Sequence, residues 1–351
     1  ACGVAATAAN TIWYFDAAEG NVVPLRAFHQ GGGATHLARG ASEVLCSSSG
    51  SELRLWREED VLEVARLRLE APCAALHFLP DGLLACALVD GTVLFFEPQM
   101  ALVSRAEVPL QKGSAERLSP EELTAMEVVV NPSDLQLLFG TSKGRILRGK
   151  WHSFNKVCRI DADCSSTFGT FVAEDVAALG GYAKGGVTCG IFALGAEGEI
   201  GIWTRDSKRV RSALRSTWGH LQLQGPAASV ACFVAGALAV AAGSKVVMYS
   251  CQDGSISHEV ETSWPVLAMA RSSTPGTALL CAGAERVGAL VIDGQHLRWL
   301  EDVALPGGSL QDPSGAAPRR VCVAAGKGSQ HLWVQTEVSL SAWKLGLLQG
   351  M

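Results

Sequence analysis

One pattern repeats along this 351-residue chain and limits its fold more than any other feature. A short apolar strand runs into a small turn containing glycine. A second strand follows, with alternating apolar residues and often an aromatic at its end. Residues 44–57 (VLCSSSGSELRLWR) turn at Gly50 and end near Trp56, and residues 83–97 (LLACALVDGTVLFFE) turn at Asp90-Gly91 and end near Phe96. The pattern returns at 3–16, 135–151, 188–206, 237–249, 278–293 and 330–343. A spacing of about 40–55 residues suits a supersecondary unit stacked on copies of itself.

Two other kinds of strand lie between these hairpins. Residues 21–28, 63–69 and 255–263 mix polar and apolar side chains in near alternation, as a half-exposed outer edge requires. Residues 73–82, 123–134 and 265–276 are apolar and end in turn signals such as Pro80-Asp81-Gly82. Four strands per repeat make a sheet with two apolar faces and no means of hiding either. Stacking such sheets around an axis covers both. The expected architecture is therefore all-β, one domain of four-stranded antiparallel sheets over residues 1–351. The chain lacks an initiator Met, which leaves room for its being a piece of a longer one.

These residues resemble the WD40 family. Residues 77–97 (HFLPDGLLACALVDGTVLFFE) and 128–147 (VVVNPSDLQLLFGTSKGRIL) are similar to its inner-strand module, and 198–206 (GEIGIWTRD) to its closing strand. The resemblance implies a β-propeller, with seven blades the commoner number and eight an alternative that also fits. It implies as well that an N-terminal strand completes the last blade. The chain departs from the family pattern in having one Gly-His dipeptide, Gly219-His220, and no Trp-Asp dipeptide.

Composition narrows the function classes. Hydrophobic residues make up 48% and charged residues 18%, the latter below the roughly 25% of ordinary soluble domains, which favours a large core over disorder. A net charge of −5 argues against a nucleic-acid partner, because phosphate neutralisation needs a basic surplus. Eleven scattered cysteines without a C-x-x-C pair read as free buried thiols in a reducing compartment, which places the chain in the cytoplasm. The apolar stretch 226–243 falls in register with the repeats, so it is expected to form two buried strands and a turn, not a membrane span. Residues 111–122 are polar and could begin a helical turn at Ser119-Pro120, and residues 304–320 read as a loop.

Motifs for chemistry are missing. The glycines at 181–186 are followed by Val187 and not Lys-Ser, and Gly326-Lys327-Gly328-Ser329 has the wrong order for a phosphate loop. No Gly-x-Ser-x-Gly elbow occurs, and no two of the eight histidines have zinc-pair spacing. His77 reads as a hydrogen-bonded core residue, and the acidic runs 58–60 and 121–122 as solvated loop charge. Trp218, Trp264 and Trp299 read as packing between sheets. No catalytic residue, metal, cofactor, membrane partner or small-molecule substrate is expected. One cluster stands out, Arg205, Lys208, Arg209, Arg211 and Arg215: it reads as a basic strip for an acidic protein tail or phosphate, or else as an exposed outer strand whose charge blunts edge pairing. The leading expectation is a non-catalytic protein-interaction scaffold inside an assembly, with a cytoskeletal or ciliary home one option. A propeller hydrolase or lyase with a central substrate or metal is the first alternative. The second is a regulatory propeller resembling the regulator of chromosome condensation, whose rhythm residues 320–346 share.

Overall fold

The computed structural model describes residues 2–7, 11–16, 23–29, 36–40, 44–57, 62–111, 119–130, 135–161, 176–184, 187–195, 200–205, 213–218, 230–234, 237–250, 255–266, 268–271, 278–282, 286–293, 296–304, 321–325, 331–336 and 340–344. Among the described residues every regular element is a strand, and the strands form eight antiparallel sheets.

The first sheet holds β1 (Cys2–Thr7), β2 (Thr11–Asp16) and β3 (Val23–His29). The second holds β4 (His36–Arg39), β5 (Val44–Ser49), β6 (Glu52–Arg57) and β7 (Leu62–Arg68). The third is β8 (Cys73–Phe78), β9 (Leu84–Leu88), β10 (Thr92–Phe96) and β11 (Leu102–Glu107). The fourth is β12 (Leu123–Val130), β13 (Leu135–Thr141), β14 (Ile146–His152) and β15 (Val157–Asp161). The fifth is β16 (Val176–Lys184), β17 (Val187–Gly195), β18 (Ile200–Arg205) and β19 (Ala213–Trp218). The sixth is β20 (Val230–Val234), β21 (Ala237–Ala242), β22 (Lys245–Ser250) and β23 (Ile256–Glu261). The seventh is β24 (Ala268–Arg271), β25 (Ala278–Ala282), β26 (Arg286–Asp293) and β27 (His296–Ala304). The eighth is β28 (Val321–Ala325), β29 (His331–Thr336) and β30 (Leu340–Lys344).

Strands pair in chain order within each sheet. The recurring hairpin of the sequence is the second and third strand of each four-stranded sheet, β1–β2 in the first sheet and β29–β30 in the eighth. The first strands of the second to eighth sheets neighbour one another in turn, and β28 returns to β4. β1 lies beside β29 and β30, so the N-terminal sheet meets the C-terminal one.

The third sheet shows how the stack is held. All five residues of β9 and all five of β10 are buried. Along β9, Leu84, Cys86 and Leu88 pack toward the second sheet, against Cys46, Leu53 and Leu55. Ala85 and Ala87 point the other way, into a cluster with Leu137, Phe139 and Trp151 of the fourth sheet. β10 repeats the division, with Leu94 and Phe96 on one side and Val93 and Phe95 on the other. Period-two alternation therefore feeds two interfaces at once. Each large side chain buried this way contributes about 1.5–3 kcal/mol, which is why these strands read as continuous apolar runs.

Turns and close contacts use glycine where geometry demands it. Gly91 has φ of 94° in the Asp90-Gly91 turn, and the Thr92 amide donates to Asp90 Oδ1 at 2.9 Å. Gly140 lets β13 approach β16: a Cβ there would lie 2.6 Å from Val176 Cγ1.

Other expectations resolve in the same way. Within 226–243 the strands β20 and β21 form, with 235–236 between them. Trp264 packs among Met248 of the sixth sheet, Val266, and Met269 and Leu279 of the seventh. The side chains of Trp218 and Trp299 lie outside the described residues. Cys46, Cys73, Cys86, Cys158 and Cys281 are buried free thiols, and burial pushes Cys158 up to about 12, far from thiolate reactivity. The helical turn expected at Ser119-Pro120 is absent: residues 119–122 are irregular and lead Glu121 inward. Among the described residues no helix is long and apolar enough to cross a membrane.

Candidate functional site

Two places could concentrate chemistry, the inner cycle of first strands and the outer strands of the sheets. The inner strands are built mainly from Ala, Val and Leu, but β8 carries His77 and the neighbouring β12 carries Glu127. Burial pulls the His77 imidazole below its ordinary pKa, although its hydrogen bond with the Met126 backbone opposes the shift. It is the hydrogen-bonded core histidine that the sequence suggests.

Glu127 follows Met126, half-buried, and desolvation raises its pKa from 4.5 to about 8. Leu138 lies opposite it in the register, with Arg148 one strand further out. A carboxyl with a raised folded pKa stabilises fully below its unfolded value and loses that contribution as pH climbs through about 8. Glu127→Gln should therefore add about 1–3 kcal/mol at pH 9 and change little at pH 4, by urea titration. Equal effects at both pH values would contradict the assignment. Among the described residues no group of three or more His, Cys, Asp or Glu side chains is placed to hold a metal ion.

A second charged feature joins the third and fourth sheets and is structural. Glu121, whose side chain is 0% exposed, accepts from Arg145 Nε at 2.8 Å and Nη2 at 2.5 Å, from Thr141 Oγ1 at 2.6 Å and from the Gln111 amide at 2.7 Å. The expectation that 121–122 is solvated loop charge is corrected here for Glu121. Its partner lies 24 positions away, beyond the reach of local sequence reading.

The rim between the fourth and fifth sheets is different. On β12–β13 the residues Ala125, Val129 and Leu138 face the fifth sheet, packing with Val176, Leu179, Ile191 and Ala193. Register carries that face outward: Leu138 stands opposite Arg148, Gln136 opposite Lys150, and then Lys150 opposite Arg159. Arg148 and Lys150 are half-buried, and Arg159 is exposed. Val157, 43% exposed, sits on the same face opposite His152. The turn joining β14 to β15 adds Phe154, 99% exposed.

The facing wall is given by backbone register. Ile191 and Ala193 stand opposite Trp203 and Gly201, and Trp203 stands opposite Arg215, with Arg205 opposite Ala213. Positions 205 and 215 thus fall on the face of the fifth sheet turned toward the fourth. Lys208, Arg209 and Arg211 lie outside the described residues.

Comparison with solved structures decides the architecture. A crystal structure of BBS1N in complex with ARL6DN, soaked with lead, aligns with a TM-score of 0.61 at 16% identity, covering 85% of this chain and 86% of that one. A mercury-soaked crystal of the same complex gives 0.58 at 16% identity, over 87% and 92%. A crystal structure of the mitotic checkpoint complex gives 0.57 at 12% identity, over 88% of each chain. This chain folds as a β-propeller. No protein-family model and no curated protein matches it.

In propeller terms the sequence makes the basic run on the fifth sheet plain and hides the cations of the fourth. Between residues 135 and 160 stand six Lys or Arg residues and no Asp or Glu, in a chain of net charge −5. That imbalance is readable. It escapes notice because the cations are interleaved with buried residues, as in Arg148-Gly149-Lys150-Trp151, and never form a run.

Proposed function

We propose that this propeller is a non-catalytic protein-interaction scaffold of the WD40 kind, a component of a multiprotein assembly. The observation that carries the reading is the use of both sheet faces for packing against neighbouring sheets, which makes a rigid platform and leaves loops and rim for recognition. The cycle from β4 to β28 and back supports a seven-bladed ring. The recurring hairpin, in the same place in every four-stranded sheet, supports the WD40 assignment. BBS1N was solved in complex with ARL6DN, and the other neighbour comes from the mitotic checkpoint complex. Those are properties of those proteins, and they support the expectation of protein partners here. The setting we favour is cytoplasmic, in a cytoskeletal or ciliary assembly.

The test is affinity purification of the full chain from native extract after nuclease treatment. Discrete protein partners should co-elute in near-stoichiometric amounts. A chain that elutes alone, or that hydrolyses esters or lactones at enzyme-like rates, would end the scaffold reading.

A further inference from the structure

We propose that Ser119 is a phosphorylation site for a proline-directed serine kinase using ATP, and that Lys143 holds the resulting phosphate. Such a modification is independent of whether the propeller is a scaffold. Ser119-Pro120 is the single Ser-Pro dipeptide of the chain. A proline at the second position has no N–H and a fixed φ, so a kinase groove that offers that residue no hydrogen-bond acceptor selects it. Ser119 and Pro120 are both exposed, and neither lies in a strand or helix. The hydroxyl and the proline ring are therefore open to an enzyme.

What this site lacks is an anion. Lys143 Nζ donates to Ser119 Oγ at 3.2 Å, a neutral partner for a full positive charge. Other surface ammonium groups meet carboxylates: Lys156 reaches Glu97 at 2.9 Å, and Lys245 reaches Glu259 at 2.6 Å. Among the described residues no carboxylate forms an ion pair with Lys143. A phosphate on Ser119 carries a charge of about −1.5 to −2 at neutral pH. It would sit on the atom that this ammonium already meets.

The surrounding contacts fix both partners. Residues 119–122 lie as a strap along the β13–β14 turn. Glu121 accepts from Arg145 and Thr141, the Ser142 amide donates to the Glu122 carbonyl at 2.9 Å, and the Glu122 amide donates to Ser142 Oγ at 3.0 Å. Ser119 is the exposed end of that strap, and Glu121 its buried middle. Of the two neighbouring acids, Glu121 is neutralised by Arg145, and Glu122 is exposed to screening by water and salt. Contact with Lys143 therefore decides the outcome.

In the reaction, Ser119 Oγ attacks the γ-phosphorus of ATP. The Oγ–phosphorus bond forms as the bond to the bridging oxygen of the β-phosphate breaks. ADP leaves, and the catalytic carboxylate of the kinase takes the hydroxyl proton. The phosphoserine oxygens then accept from Lys143, which draws the strap onto the turn.

The experiment treats the folded full chain with a proline-directed kinase and ATP. A T274A background removes the single Thr-Pro dipeptide, Thr274-Pro275, which lies outside the described residues. Mass spectrometry should place one phosphate on Ser119, and S119A should take none. K143Q should still be phosphorylated, because Lys143 acts on the product. Phosphorus NMR then reads the contact. The second ionisation of phosphoserine, ordinarily at about pH 6, should fall by about half a unit or more in the parent. It should stay low in K143R and return to the ordinary value in K143Q. Hydrogen exchange is the second readout: phosphorylation should slow the Glu121 and Glu122 amides by about two- to fivefold in the parent and in K143R, but not in K143Q. Phosphate on Ser119 only after unfolding in urea would show that the strap shuts the kinase out. Equal ionisation in the parent and in K143Q would show that Lys143 does not hold the phosphate. Either result overturns the proposal.

Discussion

Arg145→Ala is expected to destabilise the protein by about 3–5 kcal/mol, because it strands a carboxylate inside the structure. Glu121 is 0% exposed and receives both Nε and Nη2 of Arg145, while Arg145 Nη2 also donates to the Pro109 carbonyl at 2.9 Å. The pair pins the segment leaving the third sheet to the β13–β14 turn of the fourth. Burial by itself would raise the pKa of Glu121. The hydrogen bonds from Arg145, Thr141 and the Gln111 amide outweigh it and hold the carboxyl below its ordinary value. A depressed folded pKa gives stability present above the unfolded value and lost as pH falls through the folded one. Wild-type stability should therefore decline below about pH 4.5, and the Arg145→Ala variant should lack that decline. Removing both charges, as in Glu121→Gln with Arg145→Met, should recover a large part of the loss. Urea unfolding across pH measures all three. A loss under about 1 kcal/mol for Arg145→Ala would mean the pair behaves as an exposed one.

Trp151→Ala is expected to cost a similar amount, about 3–5 kcal/mol. The indole is 2% exposed, stacks on Phe95 of the third sheet with centroids 4.3 Å apart, and donates Nε1–H to Asp81 Oδ2 at 2.8 Å. One side chain thus holds a strand of the fourth sheet, a strand of the third and the turn after β8. Trp151→Phe keeps an aromatic partner for Phe95 and gives up the hydrogen bond, so its cost should be smaller, about 1–3 kcal/mol. Guanidinium unfolding orders the two variants. Equal losses would mean that the hydrogen bond, and not packing, dominates.

These pins explain which parts of the fold are legible in the sequence. Asp90-Gly91 announces its turn because a positive φ and an Asx hydrogen bond leave few other residues possible. The strands β9 and β10 announce themselves through their apolar runs, and a histidine within such a run, like His77, announces that it needs a hydrogen-bond partner, although not that the partner is the Met126 backbone of the next sheet. The contacts between sheets are another matter. Glu121 and Arg145, or Trp151 and Asp81, become partners only after the sheets stack, and local pattern carries no trace of distances made by stacking. The cations of the fourth and fifth sheets sit between these cases. Arg205 and Arg215 belong to a visible charge run, whereas Arg148, Lys150 and Arg159 are separated by buried residues and acquire a common face only through strand register.

All of this depends on the sheets closing into a ring. Double electron–electron resonance between labels on unnatural residues at 37 in β4 and 323 in β28 tests that closure most directly. Labels at 37 and 75 provide the reference, since β4 and β8 are neighbouring inner strands. A closed propeller predicts that the 37–323 distance is short, narrow and close to the 37–75 distance. A long or broad 37–323 distribution beside a short 37–75 distance would show an open arc, and the platform would be lost with it.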